Sequence, residues 1–176
     1  WCRERNVKSI GHWLEHANVY VHPNLCAGNM FQLQKYSDMG GIDAVFDQFK
    51  IGQRVARDAP CWQTPKLGSS ITHAYGKPDD ITMVEIFGAR GQDLTYPEMK
   101  WWTDHMHVSG VNFMIPHSFN PRAPRDTDCP PYFYNGGFEP RWPLYRVYAD
   151  YTSRLSLLLT GGRHVCPVAL LYPGHS

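Results

Sequence analysis

Apolar residues in this chain recur with two periods, and the clearest short one lies in residues 81–87. Ile81, Met83, Glu85 and Phe87 alternate there with Thr82, Val84 and Ile86, which predicts a strand carrying one carboxylate on an otherwise apolar face. A buried carboxylate without a matched partner is costly. Glu85 is therefore expected either to be ion-paired for structure or to open at the strand end, where chemistry occurs. Three other segments read as strands. Residues 7–14 lead into Gly11-His12-Trp13-Leu14-Glu15-His16, residues 42–46 follow the Gly40-Gly41 pair and carry Asp43, and residues 111–115 form an apolar run released by Pro116-His117.

The longer period predicts helices between these strands. Thr64-Pro65 opens one, with Thr64 as N-cap, Leu67 and Ile71 on its inner face, and Gly76 at its end. Thr95-Tyr96-Pro97-Glu98 is a capping box, Leu94 and Met99 form a hydrophobic staple, and Met99, Trp102 and Met106 recur as a core stripe until Gly110. Pro143 opens the last helix, with Leu144, Val147 or Tyr148, Tyr151, Leu155 and Leu158 on one face. Residues 24–39 fit a short helix or an ordered loop, and 49–62 are weakly patterned. Strand and helix alternating at these lengths mean an α/β fold with parallel strands and crossover helices. The carboxyl ends of the strands then carry His12 to His16, Asp43, Glu85 and His117, which are candidate catalytic or binding groups. Asp43 also fits a turn-stabilising carboxylate, and His117 also fits a packed, hydrogen-bonded histidine.

Composition narrows the function classes. The 176 residues are 43% hydrophobic and 14% aromatic with a net charge of +1, enough apolar material for one core and no basic stripe for nucleic acid or a membrane surface. No apolar run reaches the length of a membrane span. The five cysteines are widely spaced without a Cys-x-x-Cys pair, so neither a disulfide framework nor a zinc knuckle is expected. The chain begins at Trp1, and residues 165–172 read as a fresh strand, so a piece of a longer protein is expected: 1–162 as one domain and 163–176 as the start of the next. His12-Trp13-Leu14-Glu15-His16 matches the H-x-x-E-H pattern of zinc peptidases, although Gly11 before it and Pro23 after it leave little helical sequence.

Residues 118–142 are dense in proline and aromatics and too long for a simple connection, which marks a functional loop. Tyr132, Tyr134 and Trp142, with Asn120 and His117, suit stacking and hydrogen bonding to sugar rings, and equally suit packing over a sheet end.

Gly68-Ser69-Ser70-Ile71-Thr72-His73-Ala74-Tyr75-Gly76-Lys77, Val84-Glu85-Ile86-Phe87-Gly88-Ala89, Met99-Lys100-Trp101 with Asp104, and 110–119 through Pro116-His117-Ser118-Phe119 follow one another in an order that resembles bacterial multidomain glycoside hydrolases of the alpha-L-rhamnosidase type. Trp142-Pro143-Leu144-Tyr145 and 151–162 continue the resemblance. It implies a (β/α)8 TIM barrel of which this chain holds roughly strands five to eight, with Glu85 at the end of strand seven as base or nucleophile. The substrate would be a plant or bacterial carbohydrate, alpha-L-rhamnosides among them. It also implies a periplasmic or secreted protein. Glycoside hydrolysis uses two carboxyl groups. In barrels of this type the acid sits at the end of strand four, before Trp1, and Glu15 is the candidate within the chain. His12, His16 and Asp43 would bind substrate. Some relatives use calcium, but no run of oxygen ligands marks a calcium loop here. A half-barrel exposes two sheet edges, so self-association or pairing with the missing half is expected. A zinc peptidase using His12, Glu15 and His16, and a non-catalytic carbohydrate-binding module, are the alternatives.

Overall fold

The computed structural model describes residues 1–13, 29–45, 48–49, 51–52, 63–117, 119, 130–133 and 139–171. β1 (Gly40–Val45), β2 (Thr82–Gly88) and β3 (Phe113–Pro116) form a three-stranded sheet in that order, with both pairings parallel. Among the described residues four α-helices accompany it: α1 (Met30–Gln34), α2 (Thr64–Ala74), α3 (Tyr96–Val108) and α4 (Tyr145–Leu158).

Local chemistry sets each helix boundary. Thr95 accepts from the Glu98 N–H while Glu98 returns a bond to the Thr95 N–H at 3.0 Å, so the expected capping box is present. Gly76 and Gly110, both with positive φ, close α2 and α3 in the same way. In each, the glycine N–H donates to the carbonyl three residues back, and the next N–H reaches five back, from Lys77 to Thr72 and from Val111 to Met106. Both helices are thereby turned straight toward the following strand. At α2 the cap differs from expectation: Gln63 precedes the helix without a side-chain cap bond, and Thr64 is already helical and buried.

The strands' alternation separates two faces. Ile42, Ala44, Val84 and Ile86 are fully buried against Leu94, Met99, Trp102, Met106, Tyr145 and Tyr148, and each large apolar side chain buried this way contributes roughly 1.5–3 kcal/mol. α2 approaches the sheet closely enough that a Cβ on Gly68 would lie 2.6 Å from Ile42 Cγ2. α4 contributes Tyr145, Tyr148 and Thr152 to the buried side, with the Tyr148 and Thr103 hydroxyls 2.7 Å apart. Of the expected face, Tyr148 is buried and Tyr151 and Leu155 are half-buried, while Leu144, Val147 and Leu158 are exposed. The buried face of α4 is tied to α3 through the Tyr148–Thr103 hydroxyl pair. β3 was expected to be fully buried, yet Phe113 is 41% exposed.

Among the described residues the expected strands five to eight of a TIM barrel are not present. Among the described residues the protein is an α/β fold with three parallel strands. Residues 7–13 are not a strand, and the physical reason is visible at Gly41. There the buried Gln34 amide donates to Gly41 O and accepts from Gly41 N, both at 2.6 Å, so a side chain fills the place of a neighbouring strand on the outer edge of β1. Residues 165–171 form no strand either, and Val165, Val168, Leu170 and Leu171 are exposed. Pro167 within that run has no N–H for a ladder.

Two outcomes follow for stability. Gly68→Ala forces Ile42 to move and should cost about 1–3 kcal/mol by urea unfolding, as overpacking does; an unchanged midpoint would contradict the close α2–sheet contact. Burial lowers the pKa of His73, His105 and His107 below the ordinary 6.5, and at His73 it outweighs the opposing pull of Asp80. The folded state then binds fewer protons than the unfolded chain, so their contribution is fully present above about pH 6.5 and is lost as pH falls through the lowered values. Melting temperature should drop from pH 7.5 to pH 5, and less steeply in His107→Gln, which has one such proton fewer to take up.

Candidate functional site

Asp43 and Glu85 are paired residues on neighbouring strands and project from the face opposite the helices. The register fixes why Glu85 ends that face. Ala44 pairs with Ile86 but Val45 pairs with Gly88, leaving Phe87 as the extra residue of a bulge. Phe87 has φ 79°, a left-handed conformation rare for a bulky side chain. This backbone turns its ring away from the Glu85 side into the helix layer, where it is fully buried with its centroid 5.8 Å from Trp102 and 6.1 Å from Tyr148. Gly88 keeps the space beyond open: a Cβ there would stand 3.8 Å from Glu85 Oε1 and 3.0 Å from Val45 Cγ1. Glu85 is the one residue of β2 that is not buried.

The third member is His12. Its Nε2 is 3.0 Å from Glu85 Oε2, and its Nδ1 is 4.0 Å from Asp43 Oδ2. The Asp43 side chain is 6% exposed and that of Glu85 35%, so only Glu85 has the opening to meet a ligand. The two carboxylates address opposite nitrogens of one ring and cannot converge on a single ion through it. Among the described residues no group of three or more His, Cys, Asp and Glu side chains could hold a metal. The H-x-x-E-H reading also loses its geometry at its second residue, because Trp13 has φ 61° and two histidines one turn apart need right-handed helix. Glu15 and His16 lie outside the described residues.

Residues 7–12 bring His12 to this place. Ser9 donates its N–H and its hydroxyl to Asp38 Oδ2 at 2.7 and 2.9 Å, and Asp38 N–H donates back to Ser9 O at 2.9 Å. The Ser9 N–H holds the Asp38 carboxyl below its ordinary pKa. Beyond this clasp, Gly11 crosses Gly41 so closely that a Cβ on Gly41 would overlap the Gly11 carbonyl. The Gly40-Gly41 pair, expected from sequence to precede the strand, lies inside β1, and the need for glycine at 41 comes from this crossing.

His117 follows β3 on the same sheet edge, its N–H donating to Ile86 O at 2.8 Å. Trp142 stacks on Tyr145 at 5.3 Å, and Phe119 meets both edge-on at 5.4 and 5.6 Å while 55% exposed. Phe119 was not among the expected site residues; its only signal in the sequence was an aromatic shortly after a strand. Asn120 and Tyr134 lie outside the described residues. Tyr132 is anchored through its backbone, which accepts from Gln92 Nε2 at 3.1 Å and donates to Gln92 Oε1 at 2.7 Å. Arg141 ties the same region together, donating to Leu94 O, Gln92 O and the Glu139 carboxylate. Each partner stabilises the other's charge: Glu139 is held below its ordinary pKa and Arg141 above its own.

No family model, curated protein or solved structure matches this chain. The likeness to alpha-L-rhamnosidase-type hydrolases therefore rests on the motif series alone.

Removing the arginine tests the aromatic support. Arg141→Ala leaves the buried Glu139 carboxylate without its cation and removes the donor to two backbone carbonyls, Leu94 O and Gln92 O, a loss of about 2–4 kcal/mol. Acrylamide should then quench tryptophan fluorescence more strongly, because Trp142 adjoins Arg141. Unchanged quenching together with unchanged stability would mean that the network does not hold the platform.

Proposed function

We propose that the protein is a glycoside hydrolase in which Glu85 is the general base or nucleophile. The observation that carries this reading is a partly open carboxylate, 3.0 Å from an imidazole, at the carboxyl edge of a parallel sheet. Ligands and chemistry collect at such edges in α/β folds. The exposed aromatic Phe119, braced by Trp142 and Tyr145, gives a sugar ring an apolar surface to lie on. The motif series shared with rhamnosidase-type hydrolases points to the same chemistry.

In this mechanism Glu85 removes a proton from the attacking water, or itself attacks the anomeric carbon. His12, bonded at Oε2, holds the carboxylate in one orientation. Asp43 is too enclosed to touch the sugar and acts by its charge on the far side of His12. A second carboxyl group protonates the leaving oxygen, and Glu15 remains the candidate for it. A metallopeptidase has no supporting geometry at Trp13, and a purely binding module would not require a carboxylate whose exposure sets it apart from the rest of its strand.

Glu85→Gln keeps the shape but removes the charge and the proton-accepting oxygen. Assayed with an aryl alpha-L-rhamnoside and an aryl galactoside, turnover should fall by a factor of about 10² or more while substrate binding and melting temperature stay near those of the unaltered protein. Near-normal kcat with a lowered melting temperature would assign Glu85 to structure, and the lack of any turnover by the unaltered protein across aryl glycosides would end the glycosidase reading.

A further inference from the structure

We infer that His12 is a positioning residue for Glu85, and that residues 7–12 form a strap whose clasp at Asp38 and crossing at Gly41 exist to deliver it. The inference deepens the glycosidase reading and rests on Glu85 being the reacting group.

Three separate features meet in this strap. Its start is fixed by three Ser9–Asp38 bonds, two accepted by the Asp38 carboxylate, which is 18% exposed, and one donated by the Asp38 backbone N–H to Ser9 O. Its middle needs backbone contact, because any Cβ on Gly41 would occupy the position of the Gly11 carbonyl. Its end places the imidazole between two carboxylates from adjacent strands. A strap needed only to cover β1 would not require a glycine at the crossing, since an alanine there packs a sheet face as well. The close crossing instead lowers the chain onto the sheet, so that the next side chain reaches Glu85 on β2.

His12 thereby addresses one particular oxygen of Glu85. Oε2 is bonded to His12, while Oε1 lies toward Gly88, a position without a side chain. A carboxylate acting as base or nucleophile needs one oxygen presented in a fixed direction. The His12 bond supplies that direction by holding the other oxygen. The conformation of Phe87 works to the same end from the opposite side, since its ring is kept out of the space in front of Glu85.

The test follows the imidazole of His12 by NMR in histidine-labelled protein across pH. It compares the unaltered chain with Glu85→Gln, Gly41→Ala and the double variant, with His73 on α2, ion-paired to Asp80, as internal reference. Glu85→Gln removes a neighbouring negative charge and should lower the pH at which His12 titrates by about one unit. Gly41→Ala should lower it similarly by lifting His12 off Glu85, and the double variant should add little to either single change. Additive shifts, or a Gly41→Ala titration identical to that of the unaltered chain, would overturn the inference. If Gly41→Ala does not fold, Asp38→Asn opens the clasp without adding bulk and must give the same partial or full shift; an unmoved His12 in that variant would also overturn it. A kinetic arm separates this inference from the glycosidase reading. With that reading correct, Gly41→Ala lowers kcat about tenfold with KM little changed; a coupled His12–Glu85 titration without turnover by any variant would refute the glycosidase and leave the coupling standing.

Discussion

The site depends on the direction in which one phenyl ring points. Strict alternation along β2 would place Phe87 on the same face as Glu85, directly beyond the carboxylate. The bulge opposite Ala44 and Val45 and the left-handed backbone at Phe87 send the ring into the helix layer instead. A left-handed conformation at such a residue costs on the order of 1–3 kcal/mol, and burying a phenylalanine contributes about as much in the other direction. The core thus holds a conformation that the strand alone would not adopt. Glu85 becomes the last side chain of its face.

Close approach, more than conformational freedom, explains the glycines of β1 and α2. Gly68 lets α2 settle against Ile42, and Gly41 lets residues 7–12 settle against the opposite face of the same sheet. Between them the buried Gln34 amide closes the outer edge of β1 with a matched donor and acceptor. Lys77, buried and bonded to Gln34 O and Ser37 O, then fixes the segment that carries both Gln34 and Asp38. Its ammonium is held below the ordinary pKa by burial. The clasp, the edge closure and the crossing are therefore one assembly that ends on His12.

On the other flank, the loops after β2 and β3 are joined by Gln92, Glu139 and Arg141, with Tyr96 donating to Arg141 O at 2.8 Å. These polar bonds hold aromatic rings that pack partly against each other and partly toward solvent. Support of this kind lets an apolar surface stay exposed without collapsing, because the backbone beneath it is held by charge-assisted hydrogen bonds. The catalytic proposal draws on both flanks: proton chemistry from the strap side, and a stacking surface from the loop side.

Whatever depends on neighbours in the chain was legible in the sequence. The alternation in 82–86, the capping box at Thr95 and Glu98, the glycine stops at Gly76 and Gly110, and the emergence of Asp43, Glu85 and His117 toward one edge of parallel strands all follow from local periodicity and capping chemistry, whereas the turn of Phe87 into the helix layer does not. The number of strands did not. Residues 7–14 have strand-like composition, but the edge they would have joined is filled by the Gln34 side chain. On α4 the choice between Val147 and Tyr148, open in the sequence, falls to Tyr148, whose hydroxyl meets Thr103 on α3. His12 meets Glu85 across 73 positions, through a crossing at Gly41 that only the packed structure reveals. Periodicity assigns a side chain to a face; which distant segment lies against that face is decided by sterics and hydrogen-bond satisfaction in three dimensions, and these leave no local pattern in the sequence.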